Sequence, residues 1–473
     1  MVSFNSLDII IIISFFLLVL ATGYFFGRKP ACPAGRSTNL AEDYLLSGRK
    51  VGLFLFVLTN VSTWYGGILG VGEFTYKYGI VSWFTQGFPY YIFALLFAIF
   101  FARKIREASL FTIPDKLTEV YGKKAGIISA ILVFILVSPA PYLLMTANLI
   151  SLIFNSDILI SLIISLIISF AYLFKGGYRS DLYTDAIQFF IMFGGFILIF
   201  IFSFNSLDGF DFLSANLPEE HLKLTGNASP AFIIVWFLIA LWTFADPGFH
   251  QRCYAAKDGN TAVKGIIISI FFWALFDFLT TTTGLFARAL LPNISQPVQA
   301  YPLLAENVLS SGFKGIFYAA MFATIISTSN SFFFLSGTTI GRDFIFKLSS
   351  SKNDSKLRSY TVLGLLISGI IAVILAYFIP SVIELWYTIG SFCIPGMILP
   401  VISSYYKKLK IDDNLLFVEM IIAVAVSVIW YFLRDGFKNV DIIYEIEPMI
   451  AGLTSAVLIH LYGLLKRQHL SSS

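Results

Sequence analysis

The chain has 473 residues, of which 57% are hydrophobic, 17% aromatic and only 13% charged, with a formal net charge of +4. This composition argues against a soluble enzyme, and so small a net charge gives no reason to expect nucleic acid. Three cysteines without a spacing motif, four scattered histidines and no Gly-rich phosphate loop argue against a disulfide framework, a zinc site and ATP-driven transport.

Apolar stretches of about 20 residues, the length of a membrane-crossing helix, recur along the sequence. Thirteen are expected, near 7–27, 51–76, 80–102, 125–154, 157–174, 182–205, 231–249, 264–290, 313–341, 359–379, 381–405, 415–433 and 446–465. The fold expected is therefore an all-α polytopic membrane protein of the cell (plasma) membrane. The first stretch is not read as a cleavable signal, since it has Asp8 and no Lys or Arg before its apolar run. With the N-terminus outside, most of the 32 basic residues collect in inner loops, among them Arg28, Lys29, Arg36, Arg103, Arg106, Arg252, Lys257, Arg342, Lys352 and Lys410. The acidic stretches 208–220 and 435–447 then lie outside, and the C-terminus is cytoplasmic.

The second stretch interrupts its apolar run with Thr59, Asn60, Ser62 and Thr63, followed by Gly66, Gly67, Gly70 and Gly72. A polar centre followed by clustered glycines predicts a broken helix, whose freed carbonyls can hold a cation. A glycine-faced packing seam is the plainer alternative for the glycines alone. The third stretch opens with Trp83 and Gln86. The fourth carries Pro139 and Pro141, which remove backbone donors and kink it, with Tyr142 close by. The fifth is featureless and expected to face lipid.

Gly176 and Gly177 then predict a tight inner turn, and Asp181, Asp185 and Gln188 share a face of the following helix. Asp181 suits a helix-start cap, and Asp185 lies a turn deeper. The seventh stretch breaks at Asp246-Pro247-Gly248. Two interrupted spans at corresponding places imply two repeated halves, 51–205 and 231–405, with a site between them. Residues 1–50 then form a first helix and cytoplasmic loop, 206–230 an extracellular loop, and 406–473 two C-terminal helices with a short tail. The eighth stretch carries Asp277.

The ninth stretch holds Thr324, Ser327, Thr328 and Ser331 at i, i+3, i+4 and i+7, four hydroxyls on one face of one helix. Such groups often bond back to their own helix. Four on one stripe at mid-depth instead suit a small alkali cation, because polar groups there are costly unless they serve something. The eleventh stretch, with Pro395 and Pro400, is expected to bend. The last two read as ordinary lipid-facing helices. A solute pocket between the two breaks would draw on Thr59, Asn60, Thr63, Tyr142, Trp242 and Asp246, with Gln86 beside it.

The segments KGGYRSDLYTDAIQ at 175–188 and ATIISTSNS at 323–331, with EDYLLSGRKVG at 42–52, resemble the sodium/solute symporter family. The resemblance implies an inverted five-plus-five helix fold of the LeuT type with broken helices. It also implies a sodium (Na+) site made by carbonyls of Leu58 and Val61 and by Thr324, Ser327 and Thr328. Asp185 matches the acid on the inward path of sodium, and Asp185 with Ser331 matches part of a second sodium site found in some members. Asn330 stands where that second site has a serine. The family carries small polar organic solutes such as sugars, amino acids and sialic acid, and its motifs do not name which.

Sodium-coupled symport is thus the expected function. The alternatives are a proton-coupled carrier, with Asp185 titrating, and a carrier-like receptor or sensor. A receptor of that kind needs an output domain, whereas only KRQHLSSS follows the last span. A membrane enzyme would need a nucleophile–base set or metal cluster beside Asp185, Asp246 and Asp277, and the sequence offers none.

Overall fold

The computed structural model describes residues 3–27, 40–347, 349, 356–437, 444 and 446–472. Arg28, Lys29, Arg36, Cys32, Lys352 and most of 438–445 lie outside the described residues. The described chain is helical, with one isolated bridge pairing Val51 with Ala256. Its main helices are α1 (Ser6–Gly27), α2 (Leu53–Ser62), α3 (Ile68–Tyr78), α4 (Val81–Ala108), α5 (Ile113–Leu136), α6 (Ala140–Phe154) and α7 (Ile158–Ser206). After these come α8 (Pro230–Ile239), α9 (Pro247–Ala255), α10 (Gly259–Leu290) and α11 (Phe313–Phe346). The last four are α12 (Leu357–Phe378), α13 (Val382–Tyr405), α14 (Asp413–Leu433) and α15 (Pro448–Ser472).

Among the described residues, eleven helical stretches are long and apolar enough to cross a membrane. The second and fifth expected spans correspond to shorter apolar helices, Leu53–Ser62 and Ile158–Phe170. The expected number of thirteen counts these two as spans.

Local sequence sets the helix ends. The side chains of Thr112, Asp157, Ser229, Asp246, Asp258, Ser381 and Asp412 each accept a backbone N–H of the helix they open, satisfying donors that have no partner within the helix. The break between α5 and α6 falls at Ser138 and Pro139, as the prolines require. The turn expected at Gly176 and Gly177 is a sharp reversal inside α7, with Gly177 at a φ of 57°. α13 runs as one helix through Pro395 and Pro400.

Exposure divides the helices. Phe54, Phe378 and Phe432 are more than 70% exposed, as side chains that meet lipid would be, whereas nearly every residue of α11 from Phe317 to Thr338 is buried. Three stretches expected to face lipid do expose apolar side chains, among them Ile167, Phe432 and Leu458, and they also bury polar ones. The fifth span turns Ser161, Ser165 and Ser169 inward, all buried at i, i+4 spacing. In the last two helices, buried Glu419 and His460 meet at 2.8 Å, so α14 and α15 are pinned to each other by a polar contact.

Contacts at the helix ends separate two faces. On one, Ser3 Oγ donates to Glu306 at 2.7 Å, Lys314 pairs with Glu306 at 2.9 Å, and Asp8 accepts from the Gly312 and Gly315 amides. On the other, Arg49 donates to the Tyr254 and Ser109 carbonyls, and Lys410 donates to the Val120 carbonyl. Arg467 joins the second face through the Lys407 and Lys410 carbonyls. Arg342 shares the Phe111 ring with Arg49 and lies at the end of α11 opposite Lys314, so these faces are opposite.

That second face is closed by a cluster between α5 and α11. Arg342 and Lys347 each meet Asp115 at 2.7 Å, and Arg342 meets Asp343 at 2.9 Å. Asp115 and Arg342 are largely buried, and removing one partner of such a pair leaves the other charge uncompensated. Asp115→Asn is therefore expected to cost about 3 kcal/mol of stability, read as a lower melting temperature in detergent. A melting temperature equal to the parent's would show that the cluster is solvated.

Candidate functional site

The site is built where helices stop. α2 ends at Ser62 and α3 begins at Ile68, and the link at 63–67 between them leaves the helical pattern. A backbone break inside a membrane protein must be met by other polar groups, and here α11 meets it. Thr328 Oγ1 donates to the Thr63 carbonyl at 2.9 Å. Gly66 permits this approach, because a Cβ there would lie 2.3 Å from Thr328 Cβ. Ser327 Oγ lies 3.2 Å from Ser62 Oγ and donates to Asp185 Oδ1 at 2.6 Å.

The stripe of four hydroxyls divides. Thr324 Oγ1 bonds back to the Ala320 carbonyl at 2.7 Å, while Ser327, Thr328 and Ser331 reach across to other helices. Leu58 and Val61 lie buried in the last turns of α2, and the Val61 carbonyl accepts the Trp64 amide at 3.1 Å. Thr59 Oγ1 donates to Asp185 Oδ2 at 2.5 Å, so both oxygens of Asp185 are held by hydroxyls.

Asp181 does not cap a helix start. It is fully buried, and its Oδ2 accepts Ser331 Oγ at 2.6 Å. The reversal at Gly177 carries the chain into the interior before Asp181, which is why a residue that reads as a helix start lies in the core.

The second break delivers a cation that the sequence analysis misplaced. Arg252, counted there among the inner-loop residues, is 4% exposed on α9. Its Nη2 donates to Thr63 Oγ1 at 2.6 Å and approaches Ser331 Oγ at 3.4 Å, and its Nη1 donates to the Gly248 carbonyl at 3.1 Å. Asp246 caps α9 by accepting the Phe249 amide at 2.7 Å, and it also accepts Trp242 Nε1 at 2.5 Å. The available signal was the Asp-Pro-Gly break itself, since the half-helix after a break points its polar residues into protein.

A cavity of about 230 Å³ lies against this cluster. Asn60, Thr63, Gln86, Tyr142, Trp242 and Asp246, all expected at a solute pocket, line it. Thr59 is not among its lining residues and belongs to the Asp185 side instead. Arg252 and Ser331 form part of the same wall, and Trp64, Tyr90 and Trp386 add aromatic faces that the sequence analysis did not assign. From there the cavity reaches Trp236 and Tyr387. Tyr387 bonds to Glu447, on the side away from the Asp115 cluster.

The sequence profile described as "Sodium:solute symporter family" matches residues 44–410. The chain belongs to this family. Among relatives, the Drosophila melanogaster high-affinity choline transporter 1 is 26% identical over 81% of this chain and 64% of its own length. This family member therefore spans less than two thirds of that relative. The Haemophilus influenzae sodium/pantothenate symporter is also 26% identical, over 75% of this chain and 76% of its own. These relatives are carriers rather than enzymes. A solved Na+-coupled sialic acid symporter, in a substrate-bound outward-open state, superposes with a TM-score of 0.82 at 15% identity, covering 98% of each chain. That likeness shows the fold, an all-α membrane protein of the LeuT type with broken helices.

The apposition of break and hydroxyls gives a test. Gly66→Ala places a methyl group against Thr328 and is expected to force the break and α11 apart. Sodium-dependent protection of the protein against heat should then shrink. Protection equal to the parent's would show that the contact has no part in holding an ion.

Proposed function

We propose that the chain imports a small polar organic solute together with sodium by alternating access. The observation that carries this reading is the meeting of Ser327 and Thr328 with the break after α2. Thr328 sends its proton to the Thr63 carbonyl and Ser327 to Asp185. Each hydroxyl oxygen keeps lone pairs that a cation can use. Sodium, as a co-transported substrate, would be held by these hydroxyls and by carbonyls of Leu58, Val61 and Thr324.

Asp185, fastened by Ser327 and Thr59, supplies negative charge beside the ion and a first stop on its way to the cytoplasm. Ser331 is already engaged by Asp181 and Arg252, so a second ion at Asp185 and Ser331 would have to displace them. The solute would occupy the cavity bounded by Asn60, Thr63, Gln86, Tyr142, Trp242 and Asp246. Relatives named for choline, pantothenate and glucose transport support a small organic cargo. In this reading the protein sits in the plasma membrane with its N-terminus outside, and the halves 51–205 and 231–405 move against each other. The Asp115–Arg342 cluster then closes the cytoplasmic side while the cavity faces out.

In proteoliposomes, uptake should require an inward sodium gradient, and equal uptake driven by protons without sodium would overturn the assignment. Ser327→Ala and Thr328→Val remove a ligand with little loss of volume. Both should raise the sodium needed for half-maximal uptake and weaken sodium's effect on solute affinity, because coupling is reciprocal. Ser329→Ala, on another face of α11, is the control. If all three share one sodium dependence, the stripe serves packing alone.

Asp185→Asn keeps an acceptor for one of Ser327 and Thr59 and loses the charge. Turnover should fall more than equilibrium sodium binding. Unchanged transport kinetics would remove Asp185 from the ion path.

A further inference from the structure

Asp277, on α10, is a buried carboxyl group that the proposed ion site does not use. It is 8% exposed and borders two cavities, the solute cavity and a neighbouring one of about 440 Å³. Tyr91 donates its hydroxyl to Asp277, and Trp83 Nε1 donates to the Tyr91 oxygen at 3.2 Å. Among the described residues, no Lys, Arg or His is in ion-pair contact with it. The chain makes room for this carboxylate, since a Cβ on Gly87 would lie 2.6 Å from Asp277 Oδ2.

The other charged groups of the cavity have protein partners. Asp246 is held by the Phe249 amide and the Trp242 indole. Arg252 is bonded to Thr63 and the Gly248 carbonyl, close to the acids of α7. A carboxylate within the membrane without a cationic partner is costly, and a cation arriving from the cavity would relieve that cost. The surrounding wall suits such a cation. Trp64, Trp83, Tyr90 and Trp386 line it, and aromatic rings attract ammonium groups while offering little to a polyhydroxylated solute.

We propose that the transported solute carries a cationic nitrogen and that Asp277 is its counter-charge. This rests on the symport reading and narrows its substrate to organic ammonium compounds. Asp277 sets specificity by supplying charge at the aromatic wall, while the sodium ligands lie deeper, around Ser327 and Asp185.

The test uses the purified full chain in detergent with sodium present, and tetramethylammonium as the probe. Tryptophan fluorescence reads its binding, with uncharged tert-butanol and glucose as comparators. The parent protein should bind tetramethylammonium and neither comparator. Asp277→Asn keeps an acceptor for Tyr91 and should weaken the probe by roughly thirtyfold or more, as loss of a buried charge partner does. Asp277→Glu and Tyr91→Phe retain the charge and should stay within a few-fold of the parent. Sodium protection against heat, measured separately, should be the same in all these variants, so its loss in the parent would count against symport rather than against Asp277. Equal binding of the probe by the parent and Asp277→Asn overturns the proposal. So does a parent that prefers glucose or tert-butanol, or one that sodium protects but that ignores the probe. Should Asp277→Asn not fold, the comparison of tetramethylammonium with tert-butanol on the parent, together with Tyr91→Phe, still decides it.

Discussion

The structure depends on how one unsatisfied stretch of backbone is met. Between Ser62 and Ile68 the chain leaves the helical pattern in the middle of the bundle, where lipid offers no replacement for helical bonds. The Thr328 hydroxyl answers the Thr63 carbonyl, and Gly66 lets the two elements close to contact. Everything nearby is arranged by that approach. Ser327 is brought to Ser62 and Asp185, and Ser331 to Asp181 and Arg252. A helix rich in hydroxyls would be a poor core element on packing grounds alone. It is retained where a broken partner needs what hydroxyls can give.

Much of this was legible in the sequence because breaks and stripes leave strong patterns. Polar residues followed by glycines at 59–72, Asp-Pro-Gly at 246–248 and hydroxyls at helical spacing in 324–331 each carry their own physical reason. What was not legible is where the chain goes between such features. Arg252 follows a break and precedes Lys257, so it looks like a loop cation; only the packing of α9 shows it buried. Asp181 resembles a cap until the reversal at Gly177 sends its helix inward. Thr59 was grouped with Asn60 and Thr63, but consecutive positions on a helix point about 100° apart, and Thr59 faces Asp185 rather than the cavity. Thr324 sits on the stripe by spacing, yet its hydroxyl returns to its own helix.

The same limit hid the buried contacts of the periphery. Glu419 and His460 lie in stretches whose average is strongly apolar, and nothing in either stretch alone marks them as partners. They meet because α14 and α15 pack side by side and because the His460 ring also reaches the Leu409 carbonyl at 2.9 Å. One-dimensional patterns report which face of a helix is apolar. They do not report which two faces meet.

The proposed ion and solute regions are joined by a short set of bonds. Thr63 takes part in three of them: its carbonyl accepts Thr328, its hydroxyl donates to the Thr59 carbonyl at 2.6 Å, and the same hydroxyl accepts Arg252 at 2.6 Å. Thr63 and Arg252 also line the cavity, whereas Thr328 and Thr59 are not among its lining residues. A cation bound as proposed, tightening the contact between α11 and the break, would therefore fix the position of a cavity wall. A solute pressing on that wall would bear in return on the groups around the ion. Coupling between two ligands requires that each favour the same arrangement of a shared element. Under the proposed symport the shared element would be Thr63 at the helix break, so coupling would need no long path through the protein.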